Sequence, residues 1–195
     1  MSGPAIRWWP VVGLSAVFLL GLVVGKRSTP LDDWFSNTGE VHPDLGYLLF
    51  FTDPPVIAVL LAVALLTALW RRRWRLAVAV VATPAVALVL MRVLKRVFGR
   101  TKGDDPETLA YPSGHVTVTV AVLGMVVIVV GARLWAVVAA SVAAVLAAAG
   151  QSFTYHYFTD TVGALLLATS VVCMAVMAVG LDRCQPGCDV RHSTG

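Results

Sequence analysis

The fold is decided by residues 54–94, which read PPVIAVLLAVALLTALW (54–70), RRRWR (71–75) and LAVAVVATPAVALVLMRVL (76–94). A helix that crosses a bilayer needs roughly 20 mainly apolar residues. Two such runs with an arginine-rich linker between them predict two antiparallel spanning helices joined by a short loop. The positive-inside rule places that loop in the cytoplasm.

The same apolar pattern covers most of the chain. Of its 195 residues, 58% are hydrophobic and 13% are charged, and the mean hydropathy of +0.81 far exceeds that of a soluble domain. We therefore predict an all-α integral membrane protein, a six-helix bundle in a single domain over residues 1–181. The predicted spans are 10–25, 54–70, 76–94, 115–131, 134–150 and 161–181. The first is interpreted as a retained helix and not a cleaved signal peptide, because no clear cleavage site precedes Lys26.

Six spans return the chain to its starting side, so both termini are predicted to be cytoplasmic in the cell membrane. Residues 26–53 then fall outside. They are too polar for the hydrocarbon but rich in leucine and aromatic residues, which is typical of a partly helical interfacial segment. Residues 182–195 are predicted to form a flexible polar tail.

Three polar segments share the predicted outer boundary. They are residues 95–102 (KRVFGRTK), 112–115 (PSGH) and 156–160 (HYFTD). Charges at a membrane boundary are costly unless they snorkel or serve a site, so this placement favours a functional site. For residues 95–102 alone, the plain alternative is interfacial anchoring.

His156 and Asp160 are four residues apart, so on a helical turn the carboxylate reaches the imidazole and fixes its tautomer. This arrangement predicts His156 as a nucleophile that forms a phosphohistidine, with Asp160 orienting it. The alternatives are a structural hydrogen bond or a pair of metal ligands.

His115 opens the fourth predicted span directly after Ser113 and Gly114. The free N–H groups of a helix N-terminus favour an anion, and glycine allows close backbone approach. Ser113 is predicted to be the N-cap and to donate a hydrogen bond to the phosphate, and Gly114 is predicted to contact the phosphate. His115 is predicted to act as the general acid and later as the general base.

The nearby cations Lys95, Arg100 and Lys102 are predicted to screen the phosphate charge. The formal net charge of +4 is spread along membrane edges, so nucleic-acid binding is not expected. The predicted partners are an anionic lipid phosphate and the bilayer. Cys184 and Cys188 give only a weak zinc pattern, and neither a metal nor a cofactor is predicted.

Lys95, followed by Pro-Ser-Gly-His at 112–115 and by His156 and Asp160 ahead of a last helix, resembles the type 2 phosphatidic acid phosphatase superfamily. The resemblance covers about residues 95–160. It implies metal-independent hydrolysis of a lipid phosphate monoester or diphosphate, such as an isoprenoid phosphate or a phosphoglycerolipid, through a phosphohistidine.

Two positions depart from that family's pattern. The first motif normally closes with Arg-Pro, where this chain has Lys-Gly at 102–103. The third normally carries Ser-Arg, where residues 149–150 are Ala-Gly, so a phosphate-clamping arginine is missing. Arg100 and Gln151 are the candidates for compensating donors.

Three other functions are weighed at this stage. A phosphatase-like protein that binds a lipid phosphate without turnover is consistent with the missing arginine. A serine hydrolase using Ser113 and His156 leaves His115 and the cations unexplained. A proton-coupled transporter would need ionisable groups deep inside the spans, and apart from Arg92 near one end the sequence supplies none.

Overall fold

The computed structural model describes residues 3–102 and 108–181. Over these residues the chain is helical, and the only β-pairing is an isolated bridge between Thr101 and Leu109. The helices are α1 (Gly3–Val24), α2 (Pro30–Val41), a 3-10 helix (Pro43–Thr52), α3 (Pro54–Trp70), α4 (Trp74–Phe98), α5 (Gly114–Val130), α6 (Leu134–Phe153) and α7 (Phe158–Ala178). The predicted tail 182–195, with Cys184 and Cys188, lies outside the described residues.

The all-α prediction is confirmed for these residues. Five helical segments are long and apolar enough to cross a membrane, namely Ala5–Val24, Pro43–Trp70, Trp74–Phe98, Leu134–Phe153 and Phe158–Ala178. The remaining predicted span, at 115–131, corresponds to α5, which is apolar but has only 17 residues.

Several helices extend beyond one end of their predicted spans. α1 begins before Pro10, which lies inside it, and Trp9 anchors this first part by donating a 3.0 Å hydrogen bond to Thr169 of α7. α4 continues to Phe98, where Gly99 ends it in the left-handed conformation with φ 55°. α7 begins at Phe158, three residues earlier than the predicted start at 161. The polar segments therefore belong partly to helix ends.

α5 and α7 form the centre of the bundle. α5 packs against α3, α4, α6 and α7, while α7 also contacts α1 along much of its length. Small residues allow the α1–α7 approach, since a Cβ on Gly13 would collide with the Ser170 side chain. Close packing of this kind is the main stabilising contact between helices in lipid.

Residues 26–53 fold over one end of the bundle. Thr29 caps α2: its Oγ1 accepts the Asp32 N–H at 3.2 Å, and an Asp32 carboxylate oxygen accepts the Thr29 N–H at 2.9 Å. α2 packs against α6 and α7, and the 3-10 helix packs against α6. This segment therefore lies beside the ends of α6 and α7 that carry the polar residues.

Candidate active site

The three polar segments converge at one end of the bundle. The Ser113 N–H donates to the Asp160 carbonyl at 3.1 Å, which joins the start of α5 to the start of α7. Lys102 Nζ donates to the His156 carbonyl at 3.0 Å, and Lys95 Nζ donates to the Leu109 carbonyl. The helix ends predicted to share a membrane boundary are thus in direct contact.

Arg100 lies beneath this end with no exposed surface. Its Nη1 donates to Asp160 Oδ1 and to Thr159 Oγ1, both at 2.6 Å. Its Nη2 donates to Asp32 Oδ2 at 3.0 Å and to the Arg27 carbonyl at 2.8 Å. Arg100, predicted to screen a substrate phosphate, thus has its charge paired with two buried carboxylates.

Asp32 is the residue of this network that the sequence reasoning missed. Its side chain has no exposed surface, and Oδ1 accepts the Thr159 N–H at 2.9 Å. Burial alone would raise the pKa of Asp32, but hydrogen bonds from Thr159, Thr29 and Arg100 outweigh it and lower that pKa. The Thr29-x-x-Asp32 capping-box pattern indicates a helix start, yet nothing in the sequence indicates that Asp32 reaches Arg100.

The expected catalytic pair spans a loop and a helix start, not a single helical turn. His156 lies between α6 and α7, and Asp160 lies in the first turn of α7. His156 Nδ1 is 3.7 Å from Asp160 Oδ2, and the imidazole is 12% exposed. This is an ion-pair separation, longer than a hydrogen bond. Nδ1 is buried and has no hydrogen-bond partner among the described residues. The Asp160 carboxylate faces it at this longer distance.

His115 is exposed in the first turn of α5. Ser113 holds the N-cap position, but its side chain makes no capping bond. Its Oγ is fully buried and unpartnered among the residues that the structure covers. Gly114 faces Met91, whose Cε would lie 3.1 Å from an added Cβ. The capping role predicted for the Ser113 hydroxyl is therefore corrected.

Lys102 is half-buried beside this site. Burial lowers the pKa of the Lys102 ammonium, while the carboxylates of Asp160, Asp32 and Glu40 act in the opposite direction. Its ammonium also lies 5.3 Å from the centre of the Tyr157 ring, within the range of a cation–π contact. Lys102 thus contacts the His156 segment from outside the Arg100 network.

The position of the missing arginine is covered by the 3-10 helix. A Cβ built on Gly150 would lie 2.8 Å from the Leu48 carbonyl carbon and from Leu48 Cβ, so no larger side chain fits there. Gln151 is also engaged, because its Nε2 donates to Thr52 Oγ1 at 2.8 Å. Gln151 and Arg100, the compensating donors considered from the sequence, therefore both have side-chain partners inside the protein.

No group of three or more His, Cys, Asp or Glu side chains within residues 3–102 and 108–181 is arranged to hold a metal ion. Comparison of the chain with protein-family models, with curated proteins and with solved structures finds no match in any of the three.

Proposed function

We propose that this protein is a membrane phosphatase that hydrolyses a lipid phosphate monoester or diphosphate through a phosphohistidine, as the resemblance to the type 2 phosphatidic acid phosphatases implies. The observation that carries the proposal is the contact of the segment 156–160 with both other polar segments, through Ser113 and Lys102. A nucleophile, an acid and cations at one helix end are the groups that phosphoryl transfer requires.

In the proposed first step, His156 Nε2 attacks phosphorus and the bond to the ester oxygen breaks. His115 gives its proton to the leaving oxygen. Asp160 Oδ2, 3.7 Å from Nδ1, stabilises the positive charge that develops on the imidazole, and this contact tightens as the charge forms.

In the second step, His115 removes a proton from water, and the resulting hydroxide attacks phosphorus. The N–P bond breaks, which releases phosphate and returns His156 to its starting state. Lys95, Lys102 and the free N–H groups at the start of α5 are the proposed contacts for the phosphate oxygens.

We propose that α5 also crosses the membrane, which adds a sixth crossing to the five long apolar segments. α3, α4, α6 and α7 surround it, and 17 residues is the lower end of the length that spans a bilayer. The loop at 71–75 lies at the opposite end of α4 from the site, so the positive-inside rule puts the site on the outer face of the cell membrane. Lipid phosphates of the outer leaflet then reach it directly.

A second candidate is a protein that binds a lipid phosphate without hydrolysing it. The observation that favours it is the packing of Leu48 on Gly150 together with the pairing of both terminal nitrogens of Arg100 with buried carboxylates. Loss of one such donor costs only about 3 kcal/mol of transition-state stabilisation. Under the first proposal, hydrolysis is therefore expected to be slow, whereas under the second it is absent.

The test is phosphate release by purified protein from isoprenyl phosphate, isoprenyl diphosphate and phosphatidate, with EDTA present throughout. His156→Ala and His115→Ala are expected to lower the rate by at least about 100-fold each. His42→Ala is the matched control, because His42 is an exposed histidine at the end of α2. It should leave the rate unchanged.

Three results would contradict the proposal. Activity that needs a divalent metal would exclude the metal-free mechanism. Lipid binding without phosphate release would establish the second candidate. Complete loss of turnover in Ser113→Ala, with His115→Ala still active, would favour a serine nucleophile.

A further inference from the structure

Asp32, Arg100 and Asp160 come from α2, from the loop after α4 and from α7, and none has exposed surface. Two carboxylates therefore share one guanidinium in the interior. Nη1 donates to Asp160 Oδ1 at 2.6 Å, and Nη2 donates to Asp32 Oδ2 at 3.0 Å. A guanidinium more commonly binds both oxygens of a single carboxylate with its two parallel N–H groups.

This sharing has a consequence for the two oxygens of Asp160. Oδ1 accepts from Arg100, while Oδ2 accepts, among the described residues, only the Tyr157 N–H, at 3.1 Å, and lies 3.7 Å from His156 Nδ1. If Arg100 bound Asp160 with both nitrogens, Oδ2 would also accept a hydrogen bond from the guanidinium, whose charge would partly offset that of the carboxylate. Asp160 would then be a poorer acceptor for His156.

Asp32 also fixes the backbone at the start of α7. Its Oδ1 accepts the N–H of Thr159 at 2.9 Å and the Thr159 hydroxyl at 3.1 Å. Thr159 directly precedes Asp160, so this contact sets the direction from which Asp160 approaches the imidazole. Asp32 acts on the site without touching the substrate.

We propose that Asp32 is a positioning residue that draws Arg100 Nη2 away from Asp160 and keeps Asp160 Oδ2 for His156, so that the imidazole carries its proton on Nδ1. The proposal rests on the proposed function. A proton on Nδ1 leaves the Nε2 lone pair free, and that lone pair is the one that attacks phosphorus in the proposed mechanism.

The first readout does not depend on activity. The ¹⁵N NMR signals of His156, assigned by comparison with His156→Gln, report which ring nitrogen carries the proton at a pH where the ring is neutral. We expect mainly the Nδ1–H tautomer in the parent protein and a clear shift toward Nε2–H in Asp32→Asn. Asp33→Asn is the control, because Asp33 is the exposed neighbour of Asp32 on α2.

The second readout is kinetic. Asp32→Asn is expected to lower kcat by about 10- to 100-fold, with KM changed less than twofold, since orientation of the nucleophile and not substrate binding is affected. Thr159→Val removes the hydroxyl that contacts Asp32 and Arg100, keeps the backbone N–H that Asp32 accepts and preserves the side-chain volume, so it should shift both readouts in the same direction by a smaller factor. It carries the test if Asp32→Asn does not fold.

An unchanged tautomer in these variants would overturn the proposal, whether or not the protein hydrolyses lipid phosphates. A loss of thermal stability with an unchanged tautomer and unchanged kcat would reduce Asp32 to a structural residue. If the parent protein releases no phosphate, the proposed function fails while the tautomer still decides the role of Asp32.

Discussion

At the scale of single residues, Arg100 is the most constrained side chain at the site. Burial of a guanidinium is costly unless its charge is paired and acceptors are supplied for its N–H groups. Asp32, Asp160, Thr159 and the Arg27 carbonyl supply acceptors for Nη1 and Nη2 from three other parts of the chain, whereas Nε is buried without a partner among the described residues. The geometry depends on the planar fork of arginine, which reaches two carboxylates at once.

Arg100→Lys should therefore destabilise the protein although the charge is kept. An ammonium is a point charge that cannot span both carboxylates, and we expect a loss of about 2 kcal/mol in the free energy of unfolding. The measurement is equilibrium unfolding in mixed detergent micelles. Arg96→Lys is the matched control, because Arg96 is exposed on the last turn of α4, and its effect should stay within about 0.5 kcal/mol. Equal effects of the two variants would contradict the structural assignment of Arg100.

Residue types and spacing predict which side chains gather at the site, but not which atoms they bind. His115, His156, Asp160 and Lys102 lie at the predicted end of the bundle because each adjoins the end of an apolar run. Asp32 could not be placed in this way. Its partner Arg100 is 68 positions away, and no periodicity connects a capping carboxylate on α2 with a guanidinium after α4.

At the scale of elements, the apolar runs predict where helices lie better than where they end. The bounds of α3 match the predicted span at 54–70, because Asp53 and the arginines after Trp70 limit the run sharply. α6 instead continues beyond the predicted end at 150 to Phe153. Polar residues continue a helix when, like Gln151 with Thr52, they find a partner on a neighbouring element.

The 3-10 helix and α6 pack so closely at Gly150 that side-chain volume there has a measurable cost. Gly150→Ala is expected to lower the free energy of unfolding by about 1–3 kcal/mol, because its Cβ would overlap Leu48. Gly150→Arg, which restores the arginine of the family pattern, should be more destabilised still and should not gain phosphatase activity. Detergent unfolding and phosphate release measure the two effects.

Gly46→Ala is the control for this prediction. Gly46 lies on the same 3-10 helix, and a Cβ added there meets no atom within 4 Å. Its stability should be close to that of the parent protein. An active and stable Gly150→Arg variant would show that the 3-10 helix moves away from α6.

At the scale of the whole molecule, the count of apolar runs predicts that the polar segments meet at one end. That expectation needs only alternating helix directions, and the contacts Ser113–Asp160 and Lys102–His156 agree with it. Which neighbours each helix has could not be predicted. The α1–α7 contact depends on small residues such as Gly13 and on the Trp9–Thr169 hydrogen bond, which the hydropathy pattern does not report.

The orientation of the molecule is tested with a cysteine at Thr108, an exposed position in the loop between α4 and α5. In a background without Cys173, Cys184 and Cys188, a membrane-impermeant thiol reagent should label Thr108→Cys in intact cells. Arg73→Cys, at the opposite end of α4, should react only after the membrane is permeabilised. Labelling of Arg73→Cys alone in intact cells would reverse the proposed orientation.

The pairing of α1 with α7 also has a consequence for biosynthesis. α1 enters the bilayer first, but the helix against which it packs most extensively is the last of the described bundle to be made. Until then α1 lacks its main helical neighbour, and Arg100 lacks the second of its two carboxylate partners, Asp160. A ribosome stalled before α7 is therefore expected to yield a nascent chain that membrane quality-control proteases recognise and degrade.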